Sequence, residues 1–163
     1  VTGWLQVGGT WYYLSPADGA MVTGWFKDGD HWFYLHHGSG AMATGWVNLG
    51  GAWFYLNGNG TMATGWVNLG GTWYFLSGDG RMATGWVKLG GDWYYLNESG
   101  AMATGWAEIN GTWYYLDKNG AMVTGWLQIG DSWYYLQPSG AMATGWVWIG
   151  WKWYFFSDSG RWS

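Results

Sequence analysis

Met62-Ala-Thr-Gly-Trp-Val-Asn-Leu-Gly-Gly-Thr-Trp-Tyr-Phe-Leu-Ser-Gly-Asp-Gly80 carries the fold in miniature. Two apolar, aromatic runs flank Gly70-Gly71, and a two-residue hairpin loop needs the positive φ that Gly and Asn supply cheaply. Equivalent pairs stand at Gly8-Gly9, Gly29-Asp30, Gly50-Gly51, Gly90-Gly91, Asn110-Gly111, Gly130-Asp131 and Gly150-Trp151. Each unit therefore reads as a β-hairpin closed by a primed turn. A second turn-rich stretch, Ser77-Gly78-Asp79-Gly80 here and Asn57-Gly58-Asn59-Gly60 one unit earlier, carries the chain onward.

The same stretch recurs along the whole chain. Its Thr-Gly-Trp tryptophan falls at Trp4, Trp25, Trp46, Trp66, Trp86, Trp106, Trp126 and Trp146. Seven residues after each comes a second, at Trp11, Trp32, Trp53, Trp73, Trp93, Trp113, Trp133 and Trp153. The period is 21 residues for two steps and 20 thereafter, which marks a solenoid or array. We expect an all-β solenoid of eight hairpins forming one module over residues 1–163, with hairpins starting near Thr2, Thr23, Thr44, Thr64, Thr84, Thr104, Thr124 and Thr144. A lone hairpin is marginal in water, so neighbours must supply each other's core.

A two-residue loop fixes the register: Leu69 opposite Thr72, Asn68 opposite Trp73, Val67 opposite Tyr74 and Trp66 opposite Phe75. Alternation then puts Trp66, Asn68, Trp73 and Phe75 on one face and Val67, Leu69, Tyr74 and Leu76 on the other. The second face reads as core. The first is too aromatic for ordinary solvent and too polar for ordinary core, and its polar position varies among Gln6, Lys27, Asn48, Lys88 and Glu108. A methionine precedes every Thr-Gly-Trp but the first, and alternation from Met62 to Trp66 places it between successive hairpins.

Composition narrows the function. The chain holds 19 Trp, 12 Tyr and 31 Gly in 163 residues, with no Cys and a net charge of −4. Its 6 Lys and Arg are unclustered, which argues against a nucleic-acid surface despite the stacking platforms. No apolar run is long enough for a membrane-inserted helix, and no signal-peptide pattern opens the sequence. Val1-Thr2-Gly3-Trp4 starts inside a repeat, as expected of a module cut from something longer. His31, His36 and His37 read as a solvated loop and not a metal site. Nothing resembles a nucleophile, base and orienter set, so this segment reads as non-catalytic, without cofactor, whatever catalytic domain a longer parent carries.

Two Trp, a Tyr or Phe and a Met can wall a small volume with π-faces and no hydrogen-bonding groups. Such a box suits a diffuse cation, and quaternary ammonium is the ligand of aromatic cages, at about 0.5–2 kcal/mol per ring. Three rings give ~4–5 kcal/mol, about millimolar for one free ligand. Repeated sites on a polymer multiply this through effective concentration.

Thr84-Gly-Trp-Val-Lys-Leu-Gly-Gly-Asp-Trp-Tyr-Tyr-Leu-Asn-Glu-Ser-Gly-Ala-Met-Ala103 resembles the choline-binding, or cell-wall-binding, repeat of surface proteins and lytic enzymes from Gram-positive bacteria and their phages. The resemblance runs over essentially the whole chain. It implies a left-handed superhelix of hairpins, secreted to the bacterial cell surface, that attaches to the phosphocholine of teichoic acids through choline sites between hairpins. A homodimer stays open.

Carried over by position, the implied cages are Trp4, Trp11, Tyr34 and Met21; Trp25, Trp32, Tyr55 and Met42; and Trp46, Trp53, Phe75 and Met62. The next two are Trp66, Trp73, Tyr95 and Met82, then Trp86, Trp93, Tyr115 and Met102. The last two are Trp106, Trp113, Tyr135 and Met122, then Trp126, Trp133, Phe155 and Met142. The third ring follows from face alternation, with its neighbour (Tyr94 for Tyr95, for example) as the alternative. Lys27 on a cage face would repel a second cation, and Trp148, Trp151 and Trp162 make the last repeat a cap. Glucan binding is the competing function, since related aromatic repeats use rings as sugar platforms.

Overall fold

The computed structural model describes residues 1–163 and contains sixteen five-residue strands and no helix. They pair in sequence order into eight separate two-stranded antiparallel hairpins. Hairpins 1 to 4 are Gly3–Val7 with Thr10–Leu14, Gly24–Asp28 with His31–Leu35, Gly45–Leu49 with Ala52–Leu56, and Gly65–Leu69 with Thr72–Leu76. Hairpins 5 to 8 are Gly85–Leu89 with Asp92–Leu96, Gly105–Ile109 with Thr112–Leu116, Gly125–Ile129 with Ser132–Leu136, and Gly145–Ile149 with Lys152–Phe156. The register is the one the two-residue loop dictates, with Trp66 opposite Phe75 and Asn68 opposite Trp73.

Turn chemistry follows composition. Gly70 and Gly71 both have positive φ, 61° and 90°, as a type I′ turn requires. Gly130 alone of Gly130-Asp131 is positive, the pattern of type II′. Trp151, at φ 71°, is the outlier, a bulky side chain in the left-handed region on an exposed hairpin tip. The glycine of Thr-Gly-Trp is positive as well, for example Gly65 at 78°, with nothing near an added Cβ. That glycine serves the backbone and not the space, except at Gly24, where an added Cβ would meet the His37 ring at 3.1 Å.

The chain divides into two compact units, Val1–Ala83 and Thr84–Ser163, each holding four hairpins. Within a unit the connection after each hairpin folds back as a third extended segment. Met62 bridges Leu56, and the Ala63 N–H donates to the Tyr55 carbonyl at 2.8 Å. The same segment reaches the preceding hairpin, because the Met62 N–H donates to the Trp32 carbonyl at 2.8 Å. Met42 and Trp11, Met82 and Trp53, Met122 and Trp93, and Met142 and Trp113 repeat that bond at 2.8 Å.

The fully buried layer is narrow. Leu35, Leu56, Leu76, Leu96, Leu116, Leu136 and Phe156 are 0% exposed, one per hairpin from the second onward, each at the end of its second strand. Burying one such side chain contributes about 2 kcal/mol. The rest of the expected core face, such as Val67, Leu69 and Tyr74, is only half-buried, because each hairpin lends it to a neighbouring seam.

Six of the seven methionines, Met82 being left aside, also pack on a glycine one turn further along. A Cβ on Gly40, whose φ is 73°, would overlap the Met21 Sδ, and Gly60 stands in the same relation to Met42. Gly40→Ala is therefore expected to cost about 1–3 kcal/mol from backbone strain and overlap. Gly38→Ala, with nothing within 4 Å and no positive φ, is the control. Thermal unfolding reads the difference as a drop of roughly 2–4 °C per kcal/mol in the first variant alone.

Candidate functional site

A hairpin presents its two faces to two different neighbours, and the site lies where they meet. Trp86 pairs across strands with Tyr95 and lies diagonal to Trp93, with ring centroids 5.1 Å and 6.4 Å away. The opposite face of hairpin 6 brings Tyr114 against Trp86 at 5.0 Å and 68° between planes, an edge-to-face contact. Met122 completes the wall, held there by its N–H bond to the Trp93 carbonyl. Pro138 and Ser139, from the turn after hairpin 7, form the rim of a cavity of about 320 Å³.

Three further cavities repeat this plan within the units. Trp4, Trp11, Phe33 and Met42 line one of about 390 Å³, with Gly58 and Asn59 at its rim. Trp25, Trp32, Phe54 and Met62 line another of about 390 Å³, rimmed by Gly78, Asp79 and Arg81. Trp106, Trp113, Tyr134 and Met142 line one of about 290 Å³, rimmed by Asp158 and Ser159. All sit near the lower end of the range for small-molecule sites. At hairpins 3 and 4 the same rings meet, Trp46 lying 6.4 Å from Trp53 and 5.1 Å from Tyr74.

The structure brings the two tryptophans of each expected cage together, and at the six seams within the units it sets a different ring and a different connecting-segment residue against them. Across the seams the third ring is Phe33, Phe54, Tyr74, Tyr114, Tyr134 or Tyr154, at 4.8–5.1 Å from the first tryptophan. The expected Tyr34, Tyr55, Phe75, Tyr95, Tyr115, Tyr135 and Phe155 instead pair within their own hairpins, at 5.1–5.3 Å from Trp25, Trp46, Trp66, Trp86, Trp106, Trp126 and Trp146. The reason is stacking face to back. A ring on the tryptophan side of its hairpin faces forward, and only one on the other side faces the preceding hairpin.

The methionines move by one repeat for a related reason. Met42, Met62, Met122 and Met142 line cavities one hairpin earlier than alternation suggests, because the connecting segment folds back before it runs on. The other three also follow this fold-back. Met21 bridges Leu14, Met82 bonds back to Trp53, and Met102 bridges Leu96. Of the expected set Trp66, Trp73, Tyr95 and Met82, the tryptophans belong to the first unit and Tyr95 to the second.

At hairpins 7 and 8 the methionine position is taken by Trp162, a residue that counting methionines misses. Its N–H bonds the Trp133 carbonyl at 2.8 Å, and its ring lies 5.8 Å from Trp126 and 5.7 Å from Tyr154. The signal was its place after Arg161, where Met82 follows Arg81.

Second-strand tryptophans stay about two-fifths exposed, Trp93 at 40% for instance, so each keeps a face open to a ligand. On hairpin 8, Trp146 and Trp153 rise to 66% and 62%, which shows how much cover a following hairpin gives. Charges decorate some cavities. Lys27 and Lys88 lie 6.0 Å and 5.9 Å from the Trp32 and Trp93 ring centroids, and the Trp4 indole donates to Asp28 at 2.8 Å. The Arg81 backbone N–H, and after it the Ser77 hydroxyl, hold the Asp79 carboxyl below the usual carboxylate range, so it is anionic at neutral pH.

Tyr114→Ala is expected to move the indole N–H resonance of Trp86 by loss of the edge-on ring, and Tyr115→Ala to move that of Trp106 instead. Heteronuclear NMR of the two variants checks the assignment. The opposite pattern would restore the face-alternation cage.

A choline-binding repeat model matches residues 1–44, 43–84, 63–104 and 103–144, and a putative cell wall binding repeat model matches 144–161. Among solved structures, the chain is similar to CbpJ from Streptococcus pneumoniae TIGR4, at 44% identity and TM-score 0.93, over 100% of this chain and 58% of that one. Choline binding protein F from Streptococcus pneumoniae gives 42% and 0.91, over 100% and 57%. A pneumococcal cell wall endolysin from phage Cp-1, solved complexed with choline, gives 37% and 0.55, over 74% and 37%. The chain thus spans less than two thirds of CbpJ and choline binding protein F. No curated protein sequence matches it.

Proposed function

Because the chain belongs to the choline-binding repeat family, we propose that its seam cavities bind the choline groups of a cell-wall polymer and attach the protein to the bacterial surface. The observation that carries this reading is the recurring cage of two tryptophans, one ring from the next hairpin and a methionine, open on one side. Its walls are π-faces and a thioether, which favour a trimethylammonium head over a ligand that must be hydrogen-bonded. The polymer is teichoic acid bearing phosphocholine, and residues 1–163 act as one attachment module. Support for that continuity is the match over 63–104, which runs through the boundary at Ala83.

The role is binding, not catalysis. Each ring contributes about 0.5–2 kcal/mol, so one seam binds free choline at about millimolar affinity. Several seams on one polymer then raise the overall affinity by about 10²–10⁴. Choline binds only the folded seams, so it stabilises by about 1.4 kcal/mol per site at ten times Kd.

Thermal unfolding against choline concentration tests this directly. The midpoint is expected to climb with the logarithm of choline concentration above roughly a millimolar, while dextran leaves it unmoved. A midpoint flat to tens of millimolar choline, or one raised by dextran alone, contradicts the proposal.

A further inference from the structure

The seam cavities share their rings and methionine but not their rims. The rim comes from the turn two hairpins further on, and its residues differ in charge. At hairpins 2 and 3 the cavity of Trp25 and Trp32 is rimmed by Asp79 and Arg81, and Lys27 lies 6.0 Å from the Trp32 ring centroid. The Arg81 Nε is 3.5 Å from the Asp79 Oδ2, which places the guanidinium beside the opening while both side chains stay well exposed. Two cations against one anion leave that mouth net positive. At hairpins 6 and 7 the cavity of Trp106 and Trp113 is rimmed by Asp158 and Ser159, and Glu108 pairs directly opposite Trp113. These two anions outnumber the one cation of the same turn, Arg161, which stands where Arg81 does in its own turn, so that mouth is net negative by a single charge.

A trimethylammonium group joined to a phosphate by a two-carbon spacer carries both signs, so the same rings can hold its cation while the rim meets its anion. A guanidinium presents a planar fork suited to phosphate oxygens, whereas a carboxylate repels them. We propose, resting on the choline reading above, that rim charge makes the seams chemically unequal: the seam at Arg81 selects phosphocholine, and the seam at Asp158 selects a trimethylammonium cation with no adjacent phosphate. Arg81 and Asp158 are then specificity-determining residues of otherwise similar sites. Because both rims are wet, the discrimination is modest, about two- to five-fold per seam, and shrinks with added salt.

The test follows the indole N–H resonances of Trp32 and Trp113 in the full chain at low salt, titrated separately with choline and phosphocholine. At Trp32 phosphocholine is expected to bind about three-fold tighter than choline, and at Trp113 about three-fold weaker, the size expected of exposed charges. Arg81→Gln should erase the preference at Trp32, and Asp158→Asn should reduce the opposite preference at Trp113. In each variant the seam left untouched reports that the chain is folded. Equal ratios of the two ligands at both seams, or ratios indifferent to both substitutions, overturn this inference alone. No response to choline at either indole overturns the attachment reading and this inference with it.

Discussion

One backbone hydrogen bond sets the geometry on which the site depends. The methionine after a hairpin donates its N–H to the second tryptophan's carbonyl one hairpin earlier, as Met62 does to Trp32 and Met142 to Trp113, both at 2.8 Å. Neighbouring hairpins share no sheet, since each pairs only within itself. The connecting segment's backbone bond therefore sets the spacing together with the edge-on ring contact across each seam. With spacing held in part by backbone, side chains at the seam need not close up, and a gap can persist among apolar groups.

Stability and the proposed recognition fall to different residues. The leucine ending each second strand, such as Leu96 or Leu116, is fully buried and supplies hydrophobic stabilisation. The tryptophans one turn away stay partly exposed and touch each other edge-on, as Trp106 and Trp113 do at 6.4 Å and 82°. Their faces are left for a guest. A chain of this kind can thus vary its rims without disturbing its stack, because rim residues such as Pro138, Asp158 and Arg81 lie in solvent-facing turns.

The hairpins, their register and their primed turns were legible in Gly70-Gly71 and its equivalents, because two-residue loops leave few alternatives. The tryptophan pairs were legible too, since both lie on one face of one hairpin. The third ring was legible only as one of two neighbouring aromatics, with the wrong one preferred, and the methionine was not legible. Tyr114 in place of Tyr115, and Met122 in place of Met102, depend on which face meets which neighbour and on the connection folding back. Alternation within a strand says nothing of stacking between strands that share no hydrogen bonds. Rim residues from two hairpins away, such as Asp158 beside Trp106, lie further still beyond local pattern.

A crystal structure of the chain with choline bound tests the cage most directly. Density for a trimethylammonium group is expected among Trp86, Trp93, Tyr114 and Met122, and among the equivalent residues of the other cavities within each unit. Choline lodged instead beside Tyr115 and Met102, or absent from every seam at saturating concentration, would contradict it.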